Sequence, residues 1–74
     1  MERFGEKLRA LRLQRGMTLQ ELTAELGYSA HGYMSQLETG KKPPTAALVL
    51  KVARRFDVTT DVLLKDELEL PRVS

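Results

Sequence analysis

The 74-residue sequence predicts an all-α domain of five short helices. Three observations point there. Apolar residues recur three or four positions apart in successive segments; glycine, threonine or proline separates those segments; and no strand-like alternation occurs before residue 66. At 42% hydrophobic residues, the chain has material for one small core and none for a second, so residues 1–65 are expected to form one domain and residues 66–74 a short C-terminal tail.

Taken in order, Phe4, Leu8, Leu11 and, less regularly, Leu13 give the first helix its apolar stripe, and Gly16 ends it. Thr18-Leu19-Gln20-Glu21 is a capping box that opens a second helix, with Leu19, Leu22 and Leu26 inward. Gly27 stops that helix. After the turn at Tyr28-Ser29, with Ser29 as the expected cap, a third helix places Ala30, Met34 and Leu37 on one face and stops at Thr39-Gly40. Lys41-Lys42-Pro43-Pro44 is a loop, since two successive prolines remove two N–H donors. A fourth helix from Thr45 to about Asp57 turns Ala46, Val49, Leu50, Ala53 and Phe56 inward. A fifth is capped by Thr59 or Thr60 and anchored by Leu63 and Leu64.

Several function classes are excluded or disfavoured by composition. No apolar run approaches the roughly 20 residues of a membrane-spanning helix, and Glu2, Arg3, Glu6, Lys7 and Arg9 interrupt any export signal, so a cytoplasmic protein with no membrane partner is expected. With no cysteine and one histidine, neither disulfides nor a metal site is expected. The absence of a glycine-rich phosphate loop or a clustered acid–base set argues against an enzyme, a cofactor or a small-molecule ligand. Charge is uneven: residues 1–56 carry ten Lys/Arg and five Asp/Glu, residues 57–74 two and five. A basic body with an acidic tail suits a polyanionic partner, although ordinary solvated surfaces show similar imbalance.

The second and third helices, joined by a tight glycine-containing turn, form a helix-turn-helix. Here the chain resembles the phage-repressor-like, or Xre, helix-turn-helix regulators over about residues 4–64. The resemblance is carried by Phe4-Gly5-Glu6-Lys7-Leu8-Arg9, Arg15-Gly16-Met17-Thr18, Glu21-Leu22, Leu26-Gly27, Tyr33-Met34-Ser35-Gln36-Leu37-Glu38, Gly40-Lys41-Lys42 and Asp57-Val58-Thr59. It implies a five-helix, lambda-repressor-like domain that binds double-stranded DNA in the nucleoid.

A helix that reads the major groove needs an apolar face for its own core and a polar face for base edges. With Met34 and Leu37 inward, residues 30–38 present His31, Gly32, Ser35 and Gln36 outward, and the family's base-reading positions match those four. Gln36 is the foremost of them, because its amide donates and accepts together and so matches adenine. The alternative is a solvated surface glutamine. His31 is able to donate to guanine or phosphate, Ser35 to pair with either base type, and Gly32 to allow close backbone approach. Tyr33 is either a phosphate contact or a packing aromatic. Lys41 and Lys42 match the family's backbone-contacting segment, where they add affinity without sequence choice; Thr18, Ser29 and Thr39 join them as expected phosphate contacts. Backbone amides around Thr18 to Gln20 suit a phosphate as well. The resemblance also implies that Arg12 and Glu38 form a partly buried ion pair that orients the third helix.

The chain departs from the family at several points. Leu19 stands where many relatives have glutamine, Thr23 where alanine is usual and Thr39 where asparagine is common. Gly27 to Met34 is one residue longer than the commonest spacing, which either bulges the turn or lengthens the third helix at its start. Leu63, Leu64, Leu68 and Leu70 exceed the needs of a small core, so they are expected to line a homodimer interface on a palindromic site; the alternative is an acidic terminus that keeps the chain in solution. Glu67-Leu68-Glu69-Leu70 alternates like a short strand that Pro71 ends. The rival reading from another class is an antitoxin-like or adaptor module whose third-helix face binds a protein.

Overall fold

The helices are α1 Phe4–Gln14, α2 Leu19–Glu25, α3 His31–Glu38, α4 Ala46–Phe56 and α5 Thr60–Leu64. They belong to a computed structural model that describes residues 2–71; the final three residues of the expected tail, 72–74, lie outside the described residues.

Three of the five helices start on a threonine whose hydroxyl accepts a backbone N–H: Thr18 from Glu21, Thr45 from Leu48 and Thr59 from Val62. At α2 the box is complete, since the Glu21 carboxylate in turn accepts the Thr18 N–H at 2.8 Å. The α2–α3 turn depends on Gly27, whose φ of 81° suits a residue without a Cβ. The Tyr28 N–H there reaches back to Thr23 O at 3.0 Å. α3 begins at His31, three residues before Met34, with residues 27–30 in the turn before it.

α1 crosses α3 and also touches α5, α2 packs on α3, and α4 on α5. Between them lie Phe4, Leu8, Leu11, Leu22, Leu26, Met34, Leu37, Leu48, Val52, Phe56 and Leu63, all 3% exposed or less.

Some expected positions differ. On α4 the buried stripe is centred on Leu48 and Val52 with Val49, Ala53 and Phe56, while Ala46 is exposed and Leu50 is 47% exposed. Val49, Ala53 and Phe56 lie on both possible stripes, so spacing alone leaves the rotation of this apolar helix open. Leu13 on α1 is also exposed, at 53%. Ala30 is exposed, because it is the N-cap of α3 and not part of its inner face. Ser29, one residue too early, is not the cap.

Residues 67–70 form no strand. Asp66 and Glu67 make a turn in which the Leu68 N–H donates to Lys65 O at 3.1 Å, and the segment folds back onto α1.

Candidate nucleic-acid interface

α3 divides cleanly. Met34 and Leu37 are 0% and 1% exposed, whereas His31, Gly32 and Gln36 are exposed and Ser35 is half-buried beside them. The four residues expected to meet bases therefore share the outer side of one eight-residue helix. A Cβ added to Gly32 would meet nothing within 4 Å, so the molecule's own packing does not require glycine there. No side chain caps the N-terminus of α3, and the turn residues Ser29 and Ala30 before it are exposed.

The other end of α3 is held firmly. Arg12 of α1 grips the Glu38 carboxylate with two nitrogens, Nε to Oε2 at 2.8 Å and Nη2 to Oε1 at 3.1 Å, while its Nη1 donates to Met17 O at 3.0 Å. The two side chains are 14% and 6% exposed. The Glu38 carboxylate, by hydrogen bond first and charge second, pushes the Arg12 pKa further above its ordinary value against the cost of burial. Gly5 lies against the same helix end: a Cβ there would fall 2.6 Å from Glu38 O and closer still to Leu37 O.

The expected phosphate contacts fall into two groups. Lys41 and Lys42 are exposed, and their backbone N–H groups fold back to Gln36 O at 2.9 and 3.3 Å, which fixes the loop beside the exposed face of α3. Ser29 is exposed in the turn before α3. Thr18 uses its N–H and one hydroxyl lone pair within the capping box, which leaves the hydroxyl proton to donate outward and takes the Thr18 amide out of the set around Thr18 to Gln20 expected to suit a phosphate. Thr39 drops out: its single hydroxyl proton is shared between Ser35 O at 3.0 Å and Gln36 O at 3.3 Å, and its N–H is bonded to Ser35 O. Tyr33 is half-buried, with its ring 5.7 Å from that of Tyr28 at an angle of 53°, and it packs against the core.

Sequence reasoning passed over several residues. Lys7 is 1% exposed, and its ammonium donates to Val62 O at 2.6 Å and Lys65 O at 2.8 Å at the end of α5. A signal was present, since Lys7 sits three residues after Phe4 and four before Leu11, on the apolar stripe. Tyr28 holds Lys51 against its ring, with Nζ 4.7 Å from the centroid. A shallow depression between α2 and the start of α3 is lined by Gln20, Thr23, Ala24, Tyr28, Ser29 and His31.

The expected dimer contacts need correction. Leu63 is 0% exposed and belongs to the core, where α5 must bury it to pack on α4, so no partner reaches it. Leu70 is half-buried against its own core, and Leu68 is half-buried in the tail turn. Only Leu64 opens onto an apolar groove, which Pro44, Thr45, Ala46, Val49, Leu50 and Thr60 complete.

Among the described residues, no group of acidic, histidine or cysteine side chains suits a metal ion, and no helix is long and apolar enough to cross a membrane.

Comparison with known proteins bears on the family and the fold. The family described as Helix-turn-helix domain matches residues 3–66. The chain is 40% identical over 65 residues to the HTH-type transcriptional repressor RghR of Bacillus subtilis, covering 86% of this chain and 47% of that protein. It is 36% identical over 62 residues to the HTH-type transcriptional regulator PrpR of Mycobacterium tuberculosis, covering 84% of this chain and 13% of the other. The chain thus spans about half the length of RghR and much less of PrpR. Its fold matches the N-terminal DNA binding domain of SinR from Bacillus subtilis with a TM-score of 0.80 at 27% identity, over 93% of this chain and 100% of that one. RghR and PrpR are named as a transcriptional repressor and a transcriptional regulator, and the SinR structure is that of a DNA binding domain. The chain belongs to the helix-turn-helix domain family, in its phage-repressor-like (Xre) form.

Proposed function

We propose that this chain binds double-stranded DNA sequence-specifically and regulates transcription, as a repressor, by laying α3 in the major groove. The observation that carries the reading is the division of α3: Met34 and Leu37 buried, His31, Gly32 and Gln36 exposed with Ser35, and the far end of the helix fixed by the Arg12–Glu38 pair. Gln36 pairs with adenine through its amide, Ser35 and His31 contact neighbouring base edges, and Gly32 lets the backbone come close. Lys41, Lys42, Ser29 and the Thr18 hydroxyl meet phosphates on either side of the groove, and the Tyr33 ring packs α3 against the core. The repressor assignment follows RghR, which bears that name. The site of action is the cytoplasm, at the nucleoid.

We further propose a two-fold dimer on a palindrome. The longest dimension of the described chain is 30 Å, so two copies side by side match half-sites one helical turn, about 34 Å, apart. The groove lined by Ala46, Leu50 and Leu64 is the surface offered to the second copy, in place of Leu63.

Selection of bound duplexes from a randomised pool tests this directly, followed by titration of the selected duplex with the wild-type chain and with Lys41→Glu/Lys42→Glu. A palindromic consensus is expected. The double variant should lose binding, and any residual binding should show a log–log salt slope shallower by about four, two lysine contacts from each protomer of the dimer. No enrichment, with the double variant indistinguishable from wild type, would instead favour the antitoxin-like or adaptor reading.

A further inference from the structure

The tail does not hang free of the reading helix; it is tied to it through α1. Asp66 accepts the backbone N–H of Glu2 at 3.0 Å and of Arg3 at 2.9 Å, so a residue 63 positions away caps the helix that Arg3 cannot cap itself. The Arg3 guanidinium returns the contact, with Nη1 donating to Asp66 O at 2.8 Å and to Glu69 Oε1 at 2.6 Å, and Nη2 to Glu69 Oε2 at 3.2 Å. One turn on, the buried Lys7 ammonium holds the carbonyls of Val62 and Lys65. The first two turns of α1 are therefore bonded along one side to residues 62–69. The same turns face α3 on another side, where Gly5 leaves no room for a Cβ beside the carbonyls of Leu37 and Glu38. Arg12, two turns further, holds Glu38. With a contact this close at one site and a two-point grip at the other, α1 has little freedom to tilt without carrying the C-terminal end of α3 along.

We propose that the acidic tail residues Asp66 and Glu69 are positioning residues for DNA recognition, setting the angle of α3 through α1. The proposal rests on the reading of α3 as the DNA-contacting helix. Neither carboxylate touches DNA; each acts by holding Arg3 and the first turn of α1 in register.

The sign of the effect separates this from simple electrostatics. Removing two negative charges from a protein that binds a polyanion raises affinity for every duplex. Loss of register lowers affinity for the selected sequence only. The experiment compares the wild-type chain with Asp66→Asn/Glu69→Gln, and with Glu69→Gln alone as the milder variant should the double one fold poorly. Each is titrated with the duplex selected from the random pool and with a scrambled duplex of equal length, while sedimentation follows the oligomeric state. We expect a fall of about fivefold or more in affinity for the selected duplex, unchanged or tighter binding to the scrambled one, and an unchanged oligomeric state.

Equal or tighter binding of both duplexes would overturn the proposal, as would a parallel loss on both or a loss that accompanies dissociation of the dimer. If the wild-type chain itself selects no sequence, the reading of α3 fails first, an outcome visible before either variant is made.

Discussion

The two ends of α3 are built on opposite terms. At its C-terminal end, Glu38 is bonded by two nitrogens of Arg12, Gly5 presses on the last carbonyls, and Thr39, Lys41 and Lys42 fold their N–H groups back onto Ser35 and Gln36. At its N-terminal end, His31 and Gly32 are exposed, the N-cap is an alanine and no side chain satisfies the first amides. A helix fixed at one end and open at the other can present a defined polar face without spending that face on its own fold. Stability and recognition thus fall to different residues of the same eight-residue helix, so they should separate on mutation.

The largest effect expected on the fixed end comes from Glu38→Ala. It leaves the Arg12 guanidinium, 14% exposed, without its carboxylate, and should cost about 3 kcal/mol or more of stability. Thermal unfolding should show this as a fall in Tm of roughly 12 °C or more for a domain of this size. DNA affinity should fall with it; a variant unchanged in both would break the link between the ion pair and the helix.

Gly5→Ala comes next. The new methyl must displace the backbone of Leu37 and Glu38, a form of overpacking that costs about 1–3 kcal/mol. Denaturant titration checks it, and a midpoint equal to wild type would mean that α1 and α3 can part without penalty.

On the open end the prediction reverses. A side chain at position 32 meets nothing, so Gly32→Ala should leave Tm equal or raise it, by about 0.5–1 kcal/mol of stability. Affinity for the selected duplex should drop about tenfold, the equivalent of 1.4 kcal/mol, as the methyl holds the backbone away from the base edges. A fall in both quantities would erase the contrast between the two ends.

The smallest effect concerns acid. The backbone N–H of Arg3 is the first cause that holds the Asp66 carboxyl below its usual range, and the Arg3 side chain does the same for Glu69. In the α2 box, the Thr18 N–H lowers Glu21. Groups depressed in the folded state contribute stability that is present above the ordinary carboxylate pKa of about 4 and lost as pH falls through the folded values. Melting curves should accordingly be flat from neutral pH to about pH 5 and decline below about pH 4. The decline should be shallower in Asp66→Asn/Glu69→Gln. Solvent screening keeps the change modest, since these carboxylates stand at the surface.

Local chemistry was the most legible part of the sequence. The capping box at Thr18 and the helix stops at Gly16, Gly27 and Gly40 depend on neighbours a few positions apart, so the letters that specify them stand side by side. Less legible was anything that depends on how an amphipathic helix is rotated. α4 is apolar on most of its circumference up to Lys51, and only its packing against the rest of the core decides that Leu48 and Val52 turn inward while Leu50 turns out. Leu63 was misplaced for the same reason, because a short helix with two adjacent leucines gives no phase. Lys7 and Gly5 carry meaning only through partners more than 30 positions away, the α5 carbonyls and the end of α3. The outer face of α3 was legible as a pattern, because burying Met34 and Leu37 leaves a defined set of positions outside.

Contact between this outer face and DNA is checked by amide chemical-shift mapping of the isotope-labelled chain as the selected duplex is added. The largest shifts are expected at residues 29–36 and at Lys41 and Lys42, with smaller ones at Thr18. Shifts confined to the α4–α5 groove around Leu50 and Leu64, with α3 unmoved, would contradict it.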